Sequence, residues 1–345
     1  MVILVTGGAG FIGSHTCVEL LQNGYEVVVV DDHSNSSPGA LDQVQKLAGL
    51  PLTAYQVDLR DRQALAAVFD AHPIEAVIHF AAKKAVGESI QIPLDYFDVN
   101  IGGTTGLLRA MYEHGVYQLV FSSSCSIYGD SQKVPMAEEA PAGPTNPYAL
   151  SKWTCEQLLA ETCSRYAQFS VISLRYFNPM GAHPSGRIGE DPRGVPHNVM
   201  PYLTQVAVGR LERLSVFGGD YPTSDGSAIR DYIHVMDVAD GHRLAVEHLG
   251  DEPGMRVFNL GTGSGVSVLE LVEAFSAACG KEIPYQIVDR RPGDVACLIA
   301  DAGRVEREWG WRTTRNLADM CDDAWRFQRL NPNGYDGVEH PDRSN

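Results

Sequence analysis

Positive charge is scarce in this chain of 345 residues: 27 lysines and arginines face 43 aspartates and glutamates, leaving a formal charge of -16. Such a field repels polyanions, which excludes nucleic acid and anionic membrane surfaces as main partners. Any anionic ligand must therefore be held by local arginines. Long apolar runs are missing too, since none approaches the ~20 residues of a membrane span. The opening "MVILVTGGAG" lacks a basic leader segment and meets glycines too early for a signal peptide. The seven cysteines, at 17, 125, 155, 163, 279, 297 and 321, form an odd, scattered set without a Cys-x-x-Cys spacing. That pattern excludes a zinc site, gives no metal-binding cluster, and predicts reduced thiols in a cytoplasm. No low-complexity tract or internal repeat interrupts a composition that is 44% hydrophobic, so the chain is expected to fold as one large domain or two.

The first half alternates apolar runs with amphipathic stretches. "VILVTG", "YEVVVVDD", "LTAYQVDL", "AVIHFAA", "QLVFSSS" and "FSVISLRYFN" are continuous enough to be buried on both faces. Helical segments such as "GSHTCVELLQNG" lie between them and end on Asn23 and Gly24, a C-terminal stop signal. Buried parallel strands with crossover helices make an α/β, doubly wound parallel sheet. After Asn178 the texture changes to "PMGAHPSGRIGEDPRGVPHN", which predicts a boundary and a loop over a site. We therefore expect one domain over 1–179 and a smaller mixed α/β C-terminal domain over 180–345. Parts of 230–263, carrying "RDYIHVMDVADGH" and "VFNLGTG", are expected to rejoin the first.

Gly7, Gly10 and Gly13 lie between the first strand and the first helix. Side chains are absent there, so the backbone can approach a pyrophosphate at a helix N-terminus, the signature of a Rossmann sheet. The spacing alone also suits a plain glycine-rich turn. Asp31, 18 residues after Gly13, ends the second strand. An acid there accepts from a ribose 2′-hydroxyl and repels a 2′-phosphate, favouring NAD over NADP; a strand-end turn residue is the other reading. Asp58 ends the next strand and suits either an adenine contact or a turn.

Ser122, Ser123 and Ser124 close the strand "QLVFSSS" at its carboxyl end, where ligands bind in such sheets. They either solvate the backbone or point a hydroxyl at a ligand. In "NPYALSK" a proline precedes Tyr148, and Lys152 follows four residues later, so both belong on one helical face. Alone this is compatible with a surface pair. Beside a strand-end serine and an oxidised nicotinamide, an ammonium stabilises phenolate and is expected to lower the tyrosine pKa from about 10 towards neutrality, making a base for an alcohol proton.

Eight blocks occur in order: "TGGAGFIG", "DDHSNSS", "FAAKKAVGES", "FSSSCSIYG", "NPYALSK", "RYFNPMGAHPSGRIGEDP", "IRDYIHVMDVADGH" and "RRPGDVA". Together they resemble the UDP-glucose 4-epimerase family of the extended short-chain dehydrogenase/reductase superfamily, over nearly the whole chain. Ala82 and Lys83 depart from the more usual Gly-Leu. The resemblance implies an isomerase of galactose metabolism that carries NAD, acts on a UDP-hexose and assembles as a homodimer through helices of the first domain. It implies Tyr148 as base, Ser124 polarising or relaying at the sugar oxygen, and Lys152 beside them on the cofactor ribose. Cofactor contacts are implied at Gly7, Gly10, Phe11, Ile12, Gly13, Asp31, Asp32, His33, Ser34, Asn35, Ser36, Asp58, Leu59, Phe80, Ala81, Ala82, Lys84, Asn100, Ser122 and Tyr176.

Substrate contacts are implied in the second half at Phe177, Asn178, Asn198, Ser215, Val216, Phe217, Arg230, Arg291, Asp294 and Leu298, with Lys84 from the first. Asn178 and Asn198 suit diphosphate and sugar oxygens, Arg230 and Arg291 bring positive charge, and Asp294 accepts from the uridine ribose. Leu298 borders the sugar pocket, and a residue smaller than tyrosine there implies some tolerance of a 2-acetamido sugar. A dehydratase of the superfamily carries an acid pair after the strand-end hydroxyl and a decarboxylase a glutamate. This chain has Cys125 and Ser126. A net dehydrogenase would release NADH, and a non-catalytic NAD-sensing protein would not need Ser124, Tyr148 and Lys152 together.

Overall fold

The computed structural model describes residues 1–130, 133–194 and 196–337, so the last eight residues of the expected second domain lie outside the described residues. In chain order the strands are β1 (Val2–Thr6), β2 (Glu26–Asp31), β3 (Thr53–Gln56), β4 (Ala76–His79), β5 (Gln118–Ser122), β6 (Ser170–Tyr176), β7 (Asn178–Met180), β8 (Leu214–Phe217), β9 (Ile229–Arg230), β10 (Tyr232–His234), β11 (Gly254–Leu260), β12 (Val266–Ser267), β13 (Tyr285–Val288) and β14 (Cys297–Leu298). The helices are α1 (Phe11–Gln22), α2 (Pro38–Ala48), α3 (Arg62–Ala71), α4 (Val86–Gln91), α5 (Pro93–Phe97), α6 (Gly103–Glu113), α7 (Pro147–Arg165), α8 (Val199–Ala207), α9 (Val235–Glu247), α10 (Val268–Cys279), α11 (Gly303–Trp309) and α12 (Leu317–Leu330).

Seven strands form the main sheet in the order β11-β6-β5-β4-β1-β2-β3, and every neighbouring pair is parallel. The alternation of side chains explains why the strands read as unbroken apolar runs. In β1, Ile3 and Val5 enter a core with Leu20 of α1, Leu41 of α2 and Val238 of α9. Val2 and Leu4 enter the opposite core with Leu65 of α3, Leu107 of α6 and Leu159 of α7. Both faces are covered, as a doubly wound sheet requires. The chain leaves this body after β6 and returns through α9 to β11, which pairs with β6 in register from Gly254 opposite Ser170 to Leu260 opposite Tyr176. The smaller body packs its own core from Leu203 of α8, Leu214 of β8, Phe275 of α10 and Met320 of α12.

Strand order reverses between β1 and β4, and a crevice opens at the carboxyl ends of strands at such a switch point. The smaller body closes that crevice from the other side. A cluster of Ile127, Tyr128, Phe177, Val295 and Leu298 lies beneath the junction and ties the two together.

Candidate active site

A cleft of about 720 Å³ runs from Gly7 past Tyr148 to Arg291. At its first end the chain turns from β1 into α1. Gly7 has φ +73°, and a Cβ there would stand 2.7 Å from the Ala81 backbone nitrogen. A Cβ on Gly13 would stand 2.2 Å from the Gly7 carbonyl oxygen. Only glycine allows this close approach of turn, helix and neighbouring strand. Gly10 stands at the N-cap of α1 and has no side chain to cap it, so the first-turn amides around Phe11 and Ile12 meet the cleft without a side-chain acceptor. That is a ready anion site.

Asp31 sits at the end of β2 and organises the loop beyond it. One carboxylate oxygen accepts from the Ala9 amide at 2.9 Å; the other accepts from the His33 amide at 2.9 Å and the Ser36 hydroxyl at 2.7 Å. A carboxylate has about four acceptor positions, so one remains for a ligand hydroxyl. Asp32, Ser34, Asn35 and Ser36 line the cleft with it, as do Leu59, Phe80, Ala81 and Ala82. His33 does not. Held at φ 57°, it turns its ring to the Ser36 hydroxyl, 3.2 Å away, and supports Asp31 from behind. Asp58 lines the cleft, but Arg60 grips its carboxylate at 2.5–3.1 Å and holds its pKa down.

Asn100 is also placed behind the cleft wall. Its amide accepts from the Lys83 amide at 2.8 Å and donates to the Lys83 carbonyl at 3.0 Å and the Ser151 hydroxyl at 2.8 Å. Buried and fully used, it fixes the backbone that carries Ala82 and Lys84 and has no donor left for a cofactor. Its contribution is to position that loop.

The catalytic candidates converge from two elements. Asn146 caps α7 by accepting from the Ala149 amide at 2.9 Å, and Pro147 fills the first helical position. Tyr148 and Lys152 thus leave the first two turns side by side. Ser124, just past β5, caps the short turn Cys125–Tyr128. Its oxygen accepts from the Ser126 amide at 3.2 Å and the Ser126 hydroxyl at 2.9 Å. With its lone pairs so used, Ser124 turns its own hydrogen towards Tyr148, a bond that favours phenolate. Lys152 donates to the Ser122 carbonyl at 2.7 Å and stands 5.0 Å over the Phe121 ring. Tyr176 meets the Ser122 hydroxyl on the same wall.

The pKa directions correct one expectation. Burial pushes Tyr148 up to about 12, and the Ser124 bond offsets only part of that. Burial also draws Lys152 down to about 8, against Cys155 and Glu156. The protein's own groups therefore leave Tyr148 protonated at neutral pH. Lys152 is still mostly charged there, but its ammonium is committed to the Ser122 carbonyl and an aromatic face. A phenolate needs a further positive charge in the cleft.

The other wall comes from the smaller body. Leu298 on β14 pairs with Arg230 on β9, so the two reach the cleft together. Arg230 donates to the Ile229 carbonyl at 2.8 Å and, among the described residues, forms no ion pair. Arg291 does pair, with Asp294 at 3.1 Å, and its guanidinium lies 4.7 Å over the Phe217 ring. Asn178 lines the cleft with its Oδ1 buried and, among the described residues, without a partner. Phe177 lines it beside Asn178. Ser215, Val216 and Phe217 form β8 against β13 and stand outside the cleft wall; Phe217 touches it only through Arg291.

The profile of the NAD dependent epimerase/dehydratase family matches residues 3–261. This chain belongs to that family. It is similar to UDP-glucose 4-epimerase of Bacillus subtilis, 56% identical over 98% of this chain and all of that one. It is 51% identical to UDP-glucose 4-epimerase of Mus musculus over 96% of this chain and 98% of the relative. Among solved structures it is similar to UDP-glucose 4-epimerase of Bifidobacterium longum in complex with NAD+ and UDP, with a TM-score of 0.95 and 47% identity, covering 97% and 100% of the two chains.

For a member of this epimerase/dehydratase family, two site residues were not legible in the motifs. Ser126 orients the Ser124 hydroxyl, and the only hint was its place two residues on, where a serine commonly bonds back. Glu190 stands on the opposite wall and takes both Lys84 and Asn198 on one oxygen, each at 2.8 Å. A single acid in a polar loop gives no pattern to detect.

Proposed function

We infer that the chain interconverts UDP-galactose and UDP-glucose, the UDP-glucose 4-epimerase reaction, through a 4-keto sugar with NAD retained as cofactor. The observation that carries this reading is one cleft joining the Ser124, Tyr148 and Lys152 cluster to Arg230 and Asn178, with Cys125 and Ser126 standing where a dehydratase would carry acids. The residues present fit a dinucleotide. The glycine turn lets β1, α1 and the Ala81 backbone approach closely where no Cβ would fit, the helix start offers uncapped amides to a pyrophosphate, and Asp31 keeps an acceptor free for a ribose hydroxyl. When bound, NAD+ supplies the hydride acceptor and donor, and a positive ring beside the phenol.

Tyr148 takes the proton of the sugar 4-hydroxyl as hydride leaves C4, and the C4–O bond becomes a carbonyl. Ser124 donates a hydrogen bond to that oxygen or relays the proton to Tyr148. Lys152 contributes charge that favours phenolate. With the sugar turned about its diphosphate tether, hydride returns to the opposite face of C4 and Tyr148 returns the proton to oxygen. No proton or electron is consumed, so the step is an isomerisation. The tether must be held while the sugar turns. Arg230, which forms no ion pair among the described residues, holds the diphosphate, and the Asn178 Oδ1, unpartnered among the same residues, accepts from a ligand hydroxyl. Leu298 leaves the sugar pocket wider than tyrosine would, which supports turnover of UDP-N-acetylglucosamine.

The larger body then serves as the NAD domain and the smaller as the UDP-sugar domain. A homodimer through α4, α5 and α7 accounts for Ile90, Leu94 and Leu150, exposed at 44%, 78% and 42%. All seven cysteines are free thiols, which suits a cytoplasm, and no described helix is long and apolar enough to cross a membrane. The test is incubation of the purified protein with UDP-galactose, without added reductant, followed by separation of products. UDP-glucose without net NADH is expected; no interconversion, with or without added NAD, would refute the reading.

A further inference from the structure

Glu190 lies in a strap tied at two points to the larger body. The Gly189 amide donates to the Tyr335 hydroxyl at 2.9 Å, and the Arg193 guanidinium donates to the Ser36 carbonyl at 3.1 Å. Arg193 is joined to the same loop by its amide, which meets Asn35 Oδ1 at 3.3 Å. Pinned on both sides, the strap aims the Glu190 side chain into the cleft, where it is only 8% exposed. A single oxygen of its carboxylate accepts from Lys84 Nζ and from Asn198 Nδ2, both at 2.8 Å. Asn198 precedes α8 and makes no cap with its side chain, so its amide is free to serve this contact.

An ammonium and an amide N–H₂ meeting at one point make an anion-binding pair. The anion there belongs to the protein itself. We propose that Glu190 is an internal stand-in for the ligand's diphosphate, occupying the anion position between Lys84 and Asn198 and giving it up when a nucleotide diphosphate binds. This rests on the nucleotide-sugar reading of the cleft. Because the strap is held through Gly189 and Arg193, the exchange needs rotation of one side chain and no rearrangement of the backbone.

Two consequences follow from charge. A carboxylate within reach of the same donors opposes any arriving anion, so nucleotide affinity is set below what Lys84 and Asn198 would otherwise give. The same opposition screens out small inorganic anions, which lack a nucleoside to anchor them while Glu190 is displaced. Glu190 thus acts as a selectivity residue for tethered polyanions and as an aid to product release.

The test compares NAD-loaded wild type, Glu190→Gln and Glu190→Ala by calorimetric titration with UDP and with uridine, each with and without inorganic phosphate. Removal of one facing charge is expected to tighten UDP binding about tenfold. Uridine affinity should not change, and phosphate should compete with UDP in the variants more strongly than in wild type. The alanine variant keeps the comparison open if glutamine disturbs the strap. Wild type that binds UDP, with variants that bind it equally or more weakly, would overturn this proposal alone. Wild type that does not bind UDP would overturn the functional reading and this one with it.

Discussion

Tyr148→Phe removes one oxygen and little else, which makes it the sharpest perturbation of the site. Among the described residues the hydroxyl bonds Ser124, and Ser124 keeps its two contacts from Ser126. Loss of that bond costs about 1 kcal/mol at most. In a chain of this length it should lower Tm by no more than about 4 °C. The cofactor walls at Gly7, Asp31 and Phe80 are untouched, so NAD binding should persist. Chemistry should not, because a positioned general base is worth roughly 10²–10⁴ in rate. Conversion of UDP-galactose, read by product separation, is therefore predicted to fall at least a hundredfold in a folded, NAD-binding protein. A variant retaining more than about a tenth of wild-type turnover would refute the assignment of Tyr148 as base. One that lost NAD and fold together would show that the tyrosine is structural.

Lys152 carries a pH prediction. Its folded pKa is lowered to about 8 from the usual 10.5, so between these values the unfolded chain binds the extra proton and stability from this residue rises with pH. Wild type should thus gain in Tm relative to Lys152→Met as pH is raised from about 8 towards 10, by differential melts of the cofactor-free proteins. An unchanged difference would mean that the ammonium is not desolvated. Arg230→Leu removes a cation that no acid pairs with among the described residues, and UDP affinity measured by calorimetry should weaken roughly tenfold to a hundredfold, as for a lost charged hydrogen bond. Leu298→Tyr should reduce turnover of UDP-N-acetylglucosamine relative to UDP-glucose; equal selectivity in both proteins would sink the pocket argument.

Strand identity was legible because β1, β2, β4, β5 and β6 are buried on both faces and so read as apolar blocks. β11, at the sheet edge, buries only Phe258, Asn259 and Leu260, the part that "VFNLGTG" covers. The glycine turn could be read because Gly7 and Gly13 meet backbone atoms that admit no side chain. What could not be read is how polar groups share partners in space. Asn100 is spent on Lys83 and Ser151, His33 on Asp31 and Ser36, and β8 on β13, so all three stand back from the cleft. The direction of the Tyr148 pKa was also hidden. Sequence places an ammonium beside a phenol but does not reveal that the ammonium is buried and already bonded to Ser122.

The central claim is that hydride leaves C4 of the sugar and returns to the same carbon within one binding event. The most direct measurement uses UDP-galactose carrying deuterium at C4, converted by the purified protein in ordinary water. UDP-glucose that keeps the deuterium at C4 is expected, with no net NADH formed. Loss of the label to solvent, or accumulation of a reduced cofactor in step with substrate consumed, would contradict it.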